Sequence, residues 1–151
     1  MQKPKFVYVT YINTTPEKLW AALTTTDLIR QYWSGRTNTS TWKKGAVLES
    51  QSPKGELEWS GKILESKRLR KLSYTFDLDN KEGPSRVTME IAAPKRTDSH
   101  QTSAIKLTVT HDKFPAGSKT LVGISHGWPT ILSSLKTLLE TGTAIGFAFK
   151  G

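Results

Sequence analysis

Three histidines, an acid–aromatic alternation and the absence of cysteine define what chemistry this chain can offer. His111 is followed by Asp112, and a carboxylate beside an imidazole can orient the ring for proton transfer near neutral pH. His111 ends a strand-like run and precedes a loop rich in Pro and Gly. That position predicts a loop-end imidazole at the mouth of any cavity, with His126 able to approach it across the loop. His111→Ala is then expected to disturb loop order and leave binding intact. His100, His111 and His126 form neither an HExxH nor an HxH pair, and no carboxylate pattern completes a metal set. Glu56 and Glu58 alternate with Leu57 and Trp59, which on a strand puts both acids on one face, read as the solvent face. A glycosidase-like carboxylate pair is the less favoured reading of these two acids. Without cysteine there is neither a thiolate nucleophile nor a disulfide. No dinucleotide, Walker, Gly-x-Ser-x-Gly or EF-hand signature occurs. No catalytic residue, metal or cofactor is therefore assigned.

Five tryptophans carry more information. An indole offers a large apolar face and one N–H donor, the mixture from which small-molecule sites are built. Trp20 is expected in a helical corner. Trp33, Trp42, Trp59 and Trp128 can serve as core or as cavity wall. Phase and aromatic content add Tyr74, Phe76, Met89, Leu107, Leu132 and Leu135, which completes the expected lining of an internal ligand cavity.

The elements that would position these residues are legible. Phe6 to Ile12 is β-branched and aromatic, hence a strand. Thr15-Pro16-Glu17 starts a helix, with Thr15 as cap and Pro16 at the first helical position. Thr26-Asp27 offers a second cap for Leu28 to Trp33, which Gly35 can end. Strands are predicted over Arg36 to Trp42, Ala46 to Gln51, Leu57 to Glu65, Lys71 to Asp77, Arg86 to Ala92 and Ser103 to His111, separated by turn-rich segments including Pro94 to Gln101. Gly61, interior to a strand, is a candidate bulge. Trp128, Ile131, Leu132, Leu135, Leu138 and Leu139 then recur at steps of three and four, the stripe of an amphipathic helix ended by Gly142. That helix can begin as early as Lys119, with Pro129 to be accommodated. Short turns between strands imply an antiparallel meander, and the final helix must cover it to hide its stripe.

At 151 residues the chain reads as one domain, residues 1–151, without repeat or linker. Its net charge of +9 allows an anionic partner, but the basic residues are scattered. Only Lys67-Arg68-Leu69-Arg70-Lys71 is dense, and it lacks the aromatic interleaving of a single-strand nucleic-acid platform. Specific nucleic-acid binding is not expected, and a solvated hairpin turn is the better reading. No membrane-length apolar run or signal peptide is visible, so a cytoplasmic location is expected.

Taken in order, these pieces resemble the START-like, or SRPBCC, superfamily. Within it the closest likeness is to bacterial homologues of the C-terminal domain of the activator of the heat-shock-protein-90 ATPase. The resemblance is carried by Thr15-Pro-Glu-Lys-Leu-Trp-Ala-Ala-Leu-Thr24, by Leu28 to Trp33, and by Glu58-Trp-Ser-Gly-Lys-Ile-Leu-Glu65. It continues through Arg70-Lys-Leu-Ser-Tyr-Thr-Phe76, Leu107 to Phe114, and Gly127-Trp128 with Leu132, Leu135, Leu139 and Gly142. It implies an α+β helix-grip fold. A curved antiparallel sheet of about seven strands carries two short helices after its first strand, and a long C-terminal helix lies across its concave face, often over an apolar cavity. The leading expectation is a non-enzymatic binding protein for a small hydrophobic molecule, aromatic or lipid-like. Two alternatives are a stress-related domain meeting a chaperone or other acidic protein, and a cyclase or dehydratase using His111 or Asp112.

Overall fold

The computed structural model of the chain describes residues 3–94 and 103–147. His100 and most of the Pro94-to-Gln101 turn lie outside the described residues. Strand β1 (Phe6–Ile12) is followed by helices α1 (Pro16–Thr24) and α2 (Thr26–Tyr32). Then come β2 (Thr37–Thr39), β3 (Val47–Gln51), β4 (Leu57–Lys67), β5 (Lys71–Phe76), β6 (Ser85–Ala92) and β7 (Ile105–Asp112), and finally α3 (Lys119–Thr141). The strands form one curved seven-stranded antiparallel sheet in the order β1-β7-β6-β5-β4-β3-β2, with α3 gripped on its inner face. The α+β helix-grip architecture is the expected one.

Local chemistry explains most boundaries. Thr15 caps α1 by accepting from the Lys18 amide, with Pro16 opening the helix. The cap of α2 differs from expectation. Thr25, not Thr26, occupies the cap position, and its side chain makes no capping bond. The Thr26 hydroxyl instead donates to the Asn38 carbonyl, tying α2 to β2. β2 is shorter than its predicted span because the Ser40 side chain accepts from the Trp42 amide and Trp42 takes a left-handed φ of 63°. That turn ends pairing before Trp42. The basic cluster is the β4–β5 turn, with Lys67 and Lys71 both near the Glu65 carboxylate.

Helix α3 runs unbroken from its Ser118 cap, through Pro129, to a left-handed Gly142. Pro129 brings no N–H, so the Ser125 carbonyl loses its helical donor there. Trp128, Ile131, Leu132, Leu135 and Leu138 of the stripe all meet the inner sheet residues in one core, whereas Leu139, expected to be buried with them, is only partly buried. Leu135 is fully buried. Leu135→Ala is expected to cost about 2–5 kcal/mol in urea unfolding, the usual penalty for a well-packed core leucine. A loss under about 1 kcal/mol would mean that the helix does not press on the sheet there. The C-terminal end of α3 is anchored separately, since Glu140 accepts from the Asn13 amide and Lys136 donates to the Tyr11 carbonyl.

Candidate functional site

Between the N-terminal half of α3 and the β4–β5 part of the sheet, side chains leave a cleft of about 470 Å³. That volume falls within the range of small-molecule sites, roughly 300–1,000 Å³. Four aromatic rings make its wall, and each is delivered by a different element. Trp33 is the C-cap of α2, Trp59 lies on β4, Phe76 ends β5, and Trp128 sits mid-α3. Trp33 meets Trp128 edge-on with centroids 5.4 Å apart, and Trp59 lies 4.7 Å from Phe76. Leu78, Ile124 and Ile131 extend the apolar surface. The opposite wall is low because α3 presents Gly123 and Gly127, one helical turn apart. A Cβ built on Gly123 meets nothing within 4 Å.

The rim is charged. Arg36 donates through Nε and Nη2 to the two oxygens of Glu58, at 2.5 and 3.2 Å, and through Nη1 to the Ser34 carbonyl. Glu58 does not share a solvent face with Glu56, as simple alternation predicts. Ser50 pairs with Trp59 and Gln51 with Leu57, so Glu58 is the extra residue of a β-bulge. The bulge breaks parity: Leu57 is 56% exposed while Trp59 is buried. It aims Glu58 at Arg36 instead of at bulk water. Gly61, the position expected to bulge, is paired with Leu48, and the irregularities lie on either side of it.

A latch holds the far end of the cleft. Glu82, in the β5–β6 loop, accepts from the Ser118 hydroxyl and from the backbone amides of Lys119 and Thr120. These bonds, led by that of Ser118, keep its carboxyl below the usual range. Asn80 of the same loop donates to Thr120. The loop therefore closes onto the first turn of α3, where unpaired amides favour a carboxylate.

His111 is not where its neighbours in sequence suggest. It is fully buried and does not line the cleft. On β7 the residues Ile105, Leu107, Val109 and His111 share the inward face, so the ring points under α3, where Phe114 of the following loop folds back to within 4.7 Å of it. The indole N–H of Trp128 donates to Nδ1 at 3.1 Å. Nδ1 is thus the acceptor, and the proton sits on Nε2, 2.7 Å from the Ser85 hydroxyl. Ser85 donates onward to the Phe76 carbonyl at 3.2 Å. Burial pushes the imidazole down to about 4, only partly opposed by Asp112, which is itself held by Arg86. A neutral ring that grips Trp128 and, through Ser85, Phe76 positions two cleft walls. His126 is exposed on α3 and is not a partner of His111 among the described residues. Among those residues no cluster of His, Cys, Asp or Glu suits a metal, and no helix is long and apolar enough to cross a membrane.

Of the ten residues expected to line a cavity, the structure brings Trp33, Trp59, Phe76 and Trp128 together at the cleft. Tyr74, Met89, Leu107, Leu132 and Leu135 are buried in the packed core beside it and do not line it. Trp42 is half-buried at the core's margin, away from the cleft, for the turn geometry given above. Sequence reasoning missed Arg36, Lys119 and Gly123 and set Glu58 aside as solvent-facing. The spacing Gly123-x-x-x-Gly127, interrupting an otherwise bulky helix, is the signal that could have revealed the opening.

The fold and its gripped helix are those of the START-like superfamily, and a family profile narrows this further. The profile of the activator of Hsp90 ATPase homolog 1-like proteins matches residues 13–140, and the chain belongs to that family. Among solved structures, protein MLL2253 from Mesorhizobium loti has a TM-score of 0.76 at 23% identity, covering 90% of this chain and 96% of its own. An HSP90 activator from Plasmodium falciparum, PFC0360w, has a TM-score of 0.72 at 21% identity, covering 89% and 95%. The Aha1 dimer from Colwellia psychrerythraea has a TM-score of 0.73 at 18% identity, covering 92% and 98%. At such identities the likeness is one of fold. No curated protein matches the chain.

Proposed function

We propose that this protein binds a small, flat, predominantly apolar molecule in the cleft under α3, without transforming it. The observation that carries this reading is the cleft itself: Trp33, Trp59 and Phe76 join Trp128 around a helix that withholds side chains at Gly123 and Gly127. A core built only for stability would fill that volume, because interiors are close-packed. The His111 imidazole, which contacts the cleft walls Phe76 and Trp128, is neutral and already engaged on both nitrogens, which supports a structural role over acid–base chemistry.

Gly123→Phe tests the proposal. The site has room for a Cβ, and replacing a helical glycine by a residue with a side chain favours the helix, by roughly 0.5–1 kcal/mol for alanine. The variant should therefore keep its melting temperature while its ring fills the cleft. Binding of a hydrophobic fluorescent probe to the native protein should fall by at least about tenfold, the loss expected when well over 1 kcal/mol of apolar contact is blocked. Native mass spectrometry of protein taken from its host should show a retained small molecule on the unaltered chain and none on Gly123→Phe. Equal probe binding by both proteins would defeat the proposal. Family membership and the charge of +9 support a second reading, docking on an acidic chaperone surface. Such docking does not need the cleft and should survive the substitution.

A further inference from the structure

Taking the cleft as a ligand site, we infer that its occupant carries a hydrogen-bond donor, such as a phenolic hydroxyl, that is received by the Glu58 carboxylate. The cleft is apolar almost throughout, yet its lining includes the Glu58 carboxylate. That group is placed there by a β-bulge, a local irregularity which a strand paired in simple register would not contain. Arg36 fixes the carboxylate in a two-pronged grip, and its own side chain is only 14% exposed. A carboxylate has about four acceptor positions, and Arg36 uses one on each oxygen. Among the described residues Glu58 has no other donor, so water serves the remainder at its 33% exposed side chain. An entering apolar molecule would strip that water and leave a charged acceptor unsatisfied, which is costly. A ligand with a hydroxyl or N–H at that end restores the bond. An anionic ligand would instead face Glu58 with like charge, although Lys119 at the rim offers it a competing cation.

The rest of the polar rim cannot serve as well. Asn80 is committed to Thr120 and to the Glu82 amide, and the Thr120 hydroxyl already accepts from Asn80. Glu58 is thus the acceptor with capacity facing the apolar volume.

A matched set of naphthol, its methyl ether and naphthoate tests this by isothermal titration calorimetry. On the unaltered protein naphthol should bind roughly tenfold or more tighter than the ether, as expected for a hydrogen bond to a charged group. Naphthoate should bind weakest. In Glu58→Gln, with its melting temperature checked, the preference for naphthol should shrink several-fold while the ether binds as before or better. If the ether matches naphthol on the unaltered protein and both are lost in Gly123→Phe, the donor inference is wrong and the cleft reading stands. If naphthoate binds tightest, Lys119 and not Glu58 selects the ligand, and the inference is again wrong. If none of the three binds at millimolar concentration, both fall together. The ranking on the unaltered protein decides the matter even if Glu58→Gln does not fold.

Discussion

Replacing His111 by alanine should destabilise the protein by about 3–5 kcal/mol, the scale of an aromatic deletion in a core. The ring is fully buried among Phe76, Phe114 and Trp128, so its loss leaves a void. It also strands the Trp128 N–H, and a buried donor without an acceptor costs about 1–3 kcal/mol. The same residue sets a pH dependence. Its folded value, about 4, lies below the ordinary 6.5, so the unfolded chain binds the proton more readily. Stability attributable to His111 is therefore complete above pH 6.5, falls as pH drops toward 4, and levels off below that. The full depth is about 3 kcal/mol, from 1.36 kcal/mol per pH unit. Asp112, held low by its bond to Arg86, loses stability in the same direction but at lower pH, below its unfolded value. Urea midpoints at about pH 7.5 and about pH 5 isolate the histidine, because the carboxylates contribute little in that interval. The unaltered protein should lose stability between the two, and His111→Gln should flatten that loss. An unchanged slope in the variant would mean that the ring is not held neutral in the native state.

These consequences were hidden in the sequence for a simple reason. His111 follows a regular alternation, Ile105, Leu107, Val109, and the same period that buries those three also buries the histidine. Its place before a Pro/Gly loop suggested an end, whereas strand phase determined the face. Where phase was followed, the elements came out well. β1 has the predicted bounds, Thr15 and Pro16 open α1, and the stripe from Trp128 to Leu138 is core. Phase failed where pairing is irregular. One extra residue at Glu58 reverses which side chains face inward, and no property of Glu58 itself announces this. The cleft was half legible for a related reason. Aromatic walls are visible as residue types, but the opening is made by side chains that α3 lacks at Gly123 and Gly127, and hydrophobic periodicity does not register an absence.

Gly61→Ala should be the most damaging single-methyl change in the sheet. Gly61 is not among the glycines with left-handed backbone, so its identity does not come from φ. It comes from proximity: an added Cβ would stand 1.8 Å from the Thr75 carbonyl oxygen and 2.8 Å from its carbon. Those are backbone atoms of β5, and they cannot swing aside as a side-chain tip could. β4 is free to approach so closely because its pairing with β5 is interrupted here. Ile63 pairs with Tyr74, Ser60 bridges to Asp77, and in between the Lys62 amide donates to the Thr75 hydroxyl. To admit the methyl group the two strands must part, which strains the Ser60–Asp77 bridge on one side and the Ile63–Tyr74 pair on the other. The cost should reach about 3 kcal/mol or more, at or beyond the upper end of overpacking by a methyl group. The displacement should also reach the cleft, because Trp59 and Phe76 stand on the same two strands only 4.7 Å apart. Gly61→Ala is therefore expected to weaken probe binding as well as stability, whereas Leu135→Ala should act chiefly on stability. Denaturant unfolding together with probe titration checks both effects. A loss of less than about 1 kcal/mol would show that β4 and β5 separate freely at this point. In that case the floor of the cleft would be a pliable seam, and the rigid aromatic wall on which the ligand reading depends would need another support.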